Sequence, residues 1–132
     1  MIKKAGAKIF AKFIHKKNQK WIKNPLWAQQ KTFDYLTQKA KATDFGRDHR
    51  FDKIKEFKDF QIAVPIRDYE GHRPYVDKML EGRASVLWPG KPLYYAKTSG
   101  TTSGAKFIPL SKESMPTHIT AARDALLSYI YQ

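Results

Sequence analysis

The sequence contains no cysteine, so a disulfide scaffold, a thiolate zinc site, an iron–sulfur cluster and a cysteine nucleophile are all excluded within its 132 residues. This absence suits a reducing compartment, and the expectation is a cytoplasmic protein. Acid is missing from one region: no Asp or Glu precedes Asp34, whereas Lys3, Lys4, Lys8, Lys12, Lys16, Lys17, Lys20, Lys23 and Lys31 all do. Arginine is missing there too, so the segment does not match an organelle presequence, which favours Arg and Ser. Long apolar runs are also lacking. Lys8, Lys12, Lys16 and Lys17 break every candidate signal-peptide core, and nothing approaches the ~18 apolar residues of a membrane-spanning helix. Internal repeats and low-complexity segments are absent apart from the lysine bias.

What is present suffices for a core: 42% of residues are hydrophobic and 14% aromatic. The 25 basic and 12 acidic side chains leave a net charge of +13, most of it in the first quarter. Such a field attracts nucleic acid, anionic lipid or phosphorylated ligands without choosing among them.

Read in order, Ile9, Phe10, Phe13, Ile14, Trp21 and Ile22 recur among lysines at helical spacing, predicting an amphipathic helix over 3–22. Asn24 followed by Pro25 reads as an N-cap and first helical position, opening a second helix through about Lys41. Residues 42–60 predict a turn, a short helix and aromatic anchors. Asp68 caps a helical stretch through Leu80, with Pro74 kinking it or starting its second part and Gly82 as its terminus. Residues 93–97 and 106–110 read as short strands around a polar loop, and Ser111 begins a last helix with Pro116 near its start. That helix runs to Gln132 without a cap, as if cut from a longer chain. The expectation for the chain alone is a marginal or aggregating monomer.

Most polar candidates have a structural reading. His15, His49, His72 and His118 lie at no metal-ligand spacing and read as surface or packing histidines. Asp44, Asp48 and Asp52 recur every four residues, but interleaved Arg47, Arg50 and Lys53 make them a solvated or salt-bridged face. Phe10, Phe13, Trp21, Trp27, Phe33 and Tyr35 read as core or subunit packing.

The segment richest in chemistry is Lys97-Thr98-Ser99-Gly100-Thr101-Thr102-Ser103-Gly104-Ala105-Lys106. Glycines let backbone N–H groups approach an anion, hydroxyls add hydrogen bonds, and the two lysines supply countercharge, a combination that suits phosphate. It is not a P-loop, because Gly100 and Gly104 have three residues between them and Phe107 follows Lys106. The same composition also serves an ordinary hairpin tip.

The loop resembles the hydroxyl-rich nucleotide loop of adenylate-forming enzymes, the superfamily of acyl-CoA ligases, luciferases and peptide-synthetase adenylation domains. Ser103 before the second glycine and Ala105 before Lys106 depart from the commonest form and resemble one branch, the auxin-responsive acyl-acid amido synthetases of plants and their bacterial relatives. Phe57 to Gly71, with Val64-Pro65-Ile66 and Asp68-Tyr69-Glu70, then Pro74-Tyr75-Val76, and upstream Phe45-Gly46-Arg47, are similar to the same branch. The resemblance spans 24–131.

It implies an α/β adenylate-forming fold, of which this segment supplies helices and one short β-hairpin. Residues 1–23 would be a basic amphipathic N-terminal helix, and 24–132 the N-terminal part of the large adenylating domain. The implied chemistry uses ATP and Mg2+ to convert a carboxylic acid to an acyl-adenylate, then passes the acyl group to an amine or amino acid. Thr98, Ser99, Gly100, Thr101, Thr102, Ser103, Gly104 and Lys106 would contact the ATP phosphates, Thr98 the weakest contact among them, and Lys97 would add field strength. The adenine pocket, magnesium-binding acid, acyl pocket and mobile C-terminal domain would lie beyond Gln132, so the segment alone should not catalyse and contains no catalytic or metal-binding residue. A ligase with coenzyme A or a protein thiol as acceptor shares the loop chemistry. A non-catalytic basic module is the other alternative. Nucleic acid is not expected, because the lysine-rich first helix has no Arg and no recognition motif is present. An anionic membrane surface fits the first helix, though the same pattern serves a helix docked on its own protein.

Overall fold

The computed structural model describes residues 2–99 and 104–131, with side chains from residue 6 onward. The described chain is mainly helical with a two-stranded antiparallel hairpin, as expected. It divides into two compact units, one of residues 1–31 with 113–132 and one of 32–112.

In the first unit, α1 (Ile2–Ile22) packs against α6 (Ser114–Tyr131). Ala11 and Ile14 are buried against Leu127, with Ile130 alongside. His15 stacks on Tyr131 with ring centroids 4.3 Å apart, and the Asn18 amide donates to Asp124 at 3.2 Å. The Asp124 carboxyl is held below its usual range by hydrogen bonds, first from Arg123 and also from Asn18. Helix α6 starts at Ser114 rather than Ser111, which puts Pro116 in the first turn, where its missing N–H costs nothing. Asn24 stands at the N-cap position of α2 (Pro25–Ala40) as expected, its carbonyl accepting from Ala28 N–H at 3.0 Å, and its side-chain amide also donates to Lys20 O at 3.0 Å, closing α1.

The second unit is built on short elements that cap one another. Thr43 caps α3 (Asp44–Asp48), its hydroxyl accepting from Gly46 N–H at 3.0 Å. A 3-10 turn (Phe51–Lys53) and α4 (Phe57–Ala63) follow. At the head of α4 the Asp59 carboxylate accepts from the N–H groups of Lys55 and Glu56, which lowers its pKa. Asp68 caps α5 (Tyr69–Leu80), and the helix runs on through Pro74. Gly82, at φ +91°, ends it: Gly82 N–H reaches Met79 O and Arg83 N–H reaches Lys78 O, the pairing of a left-handed glycine cap.

Two clusters form this unit's core. Tyr75, Val76 and Met79 of α5 close on Val86, with Tyr95 and Phe107 of the hairpin packed against them. Ala40, Phe51 and Ile54 gather Phe33, Phe60 and Trp88. Val86 is completely buried because the 85–90 loop folds under α3: Asp44 N–H donates to Ser85 O and Phe45 N–H to Val86 O, each at 3.0 Å.

The polar side chains of this unit divide between salt-bridged, solvated and packed settings. Asp44 takes the salt-bridged alternative and is buried: Arg83 forks onto its two oxygens at 2.8 and 3.1 Å while Arg47 pairs with it from the same helix. Asp48 accepts from the Tyr75 hydroxyl at 2.8 Å, and Asp52 lies exposed beside Lys53. His49 is a packing histidine, buried, stacked on Phe45 and bonded through Nδ1 to its carbonyl. Of the aromatics expected in core or subunit packing, Phe10, Phe13, Trp21, Trp27 and Tyr35 are exposed on this chain and Phe33 is half-buried. No helix among the described residues is long and apolar enough to cross a membrane.

Candidate functional site

Strands β1 (Tyr94–Thr98) and β2 (Lys106–Leu110) pair antiparallel, with Lys97 opposite Phe107 and Thr98 opposite Lys106. The hydroxyl-rich segment is therefore the connection at one end of a hairpin. Of the expected phosphate contacts, Thr98, Ser99, Gly104 and Lys106 are described; Gly100, Thr101, Thr102 and Ser103 lie outside the described residues.

Register separates the two lysines. Cross-strand partners share a face, so Thr98 and Lys106 lie on one face and Lys97 and Phe107 on the other. The face bearing Tyr95 and Phe107 is packed on the core cluster of α5, and burial raises the Tyr95 pKa. Lys97 sits over the Phe107 ring at 6.0 Å. Lys106 thus shares with Thr98 the opposite face of the hairpin and is half-buried, whereas Lys97 is exposed.

Beyond this packing, the hairpin is hydrogen-bonded to α5 through Tyr69. The Tyr69 hydroxyl accepts from Phe107 N–H at 2.8 Å and makes a longer 3.5 Å approach to Phe107 O. In an extended strand these two groups point the same way, so Tyr69 occupies part of the free edge of β2. Its ring also lies 5.5 Å from Lys106 Nζ and 5.7 Å from the Arg73 guanidinium. Arg73 is itself paired with Glu70 at 2.7 Å. Among the described residues neither Lys97 nor Lys106 is ion-paired.

The loop's surroundings favour an anion. No Asp or Glu occurs between Glu81 and Glu113, while Arg83, Lys91, Lys97, Lys106 and Lys112 do. Gly104 adopts φ +80°, a conformation side chains rarely take, and its Cβ position faces open space within 4 Å. Backbone and hydroxyl donors with a cation on the same face suit phosphate oxygens. Among the described residues no three His, Asp or Glu converge as metal ligands. Sequence reasoning found the loop but not the role of Tyr69. Its signal was its place in the first turn of a helix capped by Asp68, which gives no hint of a strand distant in sequence.

The hairpin thus carries a basic, glycine- and hydroxyl-rich connection beside the helices of its unit. The GH3 family N-terminal domain matches residues 14–132, and the chain belongs to that family. A probable indole-3-acetic acid-amido synthetase, GH3.13, of Oryza sativa subsp. japonica is 34% identical over 58 residues, covering 42% of this chain and 12% of the relative. A jasmonoyl–L-amino acid synthetase, JAR4, of Nicotiana attenuata is 26% identical over 89 residues, covering 66% of this chain and 15% of the relative. The matched stretches thus span about one-seventh or less of these relatives' length. No solved structure matches the chain.

Proposed function

We propose that this chain is the N-terminal part of an ATP-dependent acyl-acid amido synthetase and that its hairpin loop cradles the ATP phosphates. The observation carrying this reading is the loop in its setting: Thr98 and Lys106 share one face of the hairpin, Gly104 stands at φ +80° beside them, and the family match runs through them all. In the first step a carboxylate oxygen of the acid attacks the α-phosphorus, pyrophosphate leaves and an acyl-adenylate forms. In the second an amine attacks the acyl carbon and AMP departs.

The difficulty of the first step is bringing two anions together. Lys106 and the donors of Ser99, Gly100, Thr101, Thr102, Ser103 and Gly104, with Thr98 at the edge, offset phosphate charge and hold the leaving pyrophosphate in line. Mg2+, held by the phosphates and by a carboxylate outside this segment, would neutralise further charge. Residues 24–132 would then open the large adenylating domain of an α/β adenylate-forming fold, with the acid and amine pockets in the remainder. The relatives' names, an amido synthetase and an amino acid synthetase, favour an amine acceptor over coenzyme A or a thiol.

The test is acid-dependent exchange of labelled pyrophosphate into ATP by the intact native protein, across a panel of aromatic and aliphatic carboxylic acids. Exchange that falls at least about a hundredfold in Lys106→Ala, with folding retained, supports the reading. Exchange unaffected by Lys106→Ala, or absent with every acid, overturns it. The 132-residue chain alone is expected to show none.

A further inference from the structure

Helix α1 has two apolar faces, and its docking on α6 uses one of them. At 100° per residue, Ala11, Ile14 and Asn18 share the side turned to Leu127 and Asp124. Ile9, Phe10 and Phe13 fall on a different sector and remain 72%, 46% and 64% exposed. Lys8, Lys12, Lys16 and Lys20 follow one another at four-residue steps, a basic ridge that winds by about 40° per step from beside that sector into it. No carboxylate occurs anywhere before Asp34 to neutralise it.

The family match begins at residue 14, so Ile9, Phe10 and Phe13 precede the part of the chain that the family's shared domain accounts for. Bulky apolar groups flanked by a row of lysines complement one kind of surface: acyl chains beneath a layer of negative headgroups. The aromatics enter the boundary region, and the lysine stems lie along it with their ammonium groups toward phosphate. Nucleic acid would use the charge but leave Ile9 and Phe13 unexplained, and no arginine is present to grip phosphate in a fork.

We propose that the outer face of α1 docks the protein reversibly on an anionic lipid surface. The proposal stands independently of the activity proposed above. A single helix with three apolar side chains gives weak attachment, so electrostatics supplies much of the affinity and binding is salt-sensitive.

The experiment is sedimentation of the intact native protein with vesicles of equal parts phosphatidylglycerol and phosphatidylcholine, against vesicles of phosphatidylcholine alone. Binding to the first, at least about tenfold weaker to the second and reduced on raising salt from about 50 to about 300 mM, is the expected result. Two variants separate the components. Lys8→Gln/Lys12→Gln/Lys16→Gln/Lys20→Gln is expected to abolish the preference for anionic vesicles. Phe10→Ser/Phe13→Ser, which keeps every charge and alters exposed positions only, is expected to weaken binding about tenfold or more with an unchanged melting profile. Binding that survives the serine variant undiminished, equal binding to both vesicles, or no binding would overturn the proposal. Salt-sensitive retention on duplex DNA without vesicle binding would also overturn it, assigning the ridge to nucleic acid.

Discussion

Gly46 shows how one residue fixes a local arrangement. It is buried in α3, and a Cβ there would stand inside van der Waals contact of the Ala40 carbonyl, with the Lys41 backbone also too close. Neither is a flexible side-chain end that can swing aside. Gly46→Ala is therefore expected to destabilise the second unit by about 3 kcal/mol, read as a lowered denaturation midpoint. Asp44, two residues before it, is held by a different logic. Its carboxylate is buried against Arg47 and Arg83, and its backbone N–H is taken by Ser85 O. Arg83→Ala would leave the buried charge with one partner; because Arg83 is itself half exposed, the expected cost is the milder ~1–2 kcal/mol.

Among elements, the hairpin depends on α5. A two-stranded sheet has two free edges and little stability of its own, and here the Tyr69 hydroxyl engages Phe107 on the edge of β2. Tyr69→Phe removes that partner and keeps the ring beneath Lys106. It is expected to cost about 1 kcal/mol and to speed hydrogen exchange of the Phe107 amide, with neighbouring helices unchanged. In an active synthetase the same variant should raise KM for ATP more than KM for the acid. The α1–α6 pair and the start of α4 carry a pH dependence. Asp124 and Asp59 both bind protons more weakly in the folded state, held down by Arg123 and Asn18 and by the Lys55 and Glu56 amides respectively. Their contribution is complete above the ordinary carboxylate range near 3.8 and is lost as pH falls through their lowered folded values. Melting between pH 6 and pH 3 should show this loss, and Asp124→Asn should flatten part of it.

At the scale of the molecule, a net charge of +13 and a broad exposed apolar surface act in opposite directions. Ile62 and Ile66 of the second unit are 77% and 104% exposed, and Leu126 and Tyr129 of α6 are 61% and 79% exposed. Self-repulsion keeps copies apart at low ionic strength, and screening removes that barrier. The 132-residue chain by itself is expected to be monomeric at about 20 mM salt and to associate at about 300 mM, with sedimentation velocity as the readout. A chain that stays monomeric at both would show these faces to be adequately solvated.

Much of this was legible in the chain because the deciding physics is local. Asp68 before a helix, Gly82 after it, Pro116 in a first turn, and two β-prone runs around a polar loop act over a few residues, and the structure bears out each of these elements. The loop's glycine-, hydroxyl- and lysine-rich composition was equally readable, since it rests on residue types. What the sequence could not determine was direction. Helical spacing placed Phe10 and Phe13 on an apolar side but not which of two sides α6 would cover, and the side bearing Ala11 and Ile14 is the one packed on Leu127. Asp44 looked like its neighbours Asp48 and Asp52 until the 85–90 loop folded over it and brought Arg83 across. Strand register, which assigns Lys106 rather than Lys97 to the face shared with Thr98, and the reach of Tyr69 to Phe107 join residues far apart in sequence. Tertiary packing alone decides such pairings, because no local preference records which distant backbone group a hydroxyl will meet.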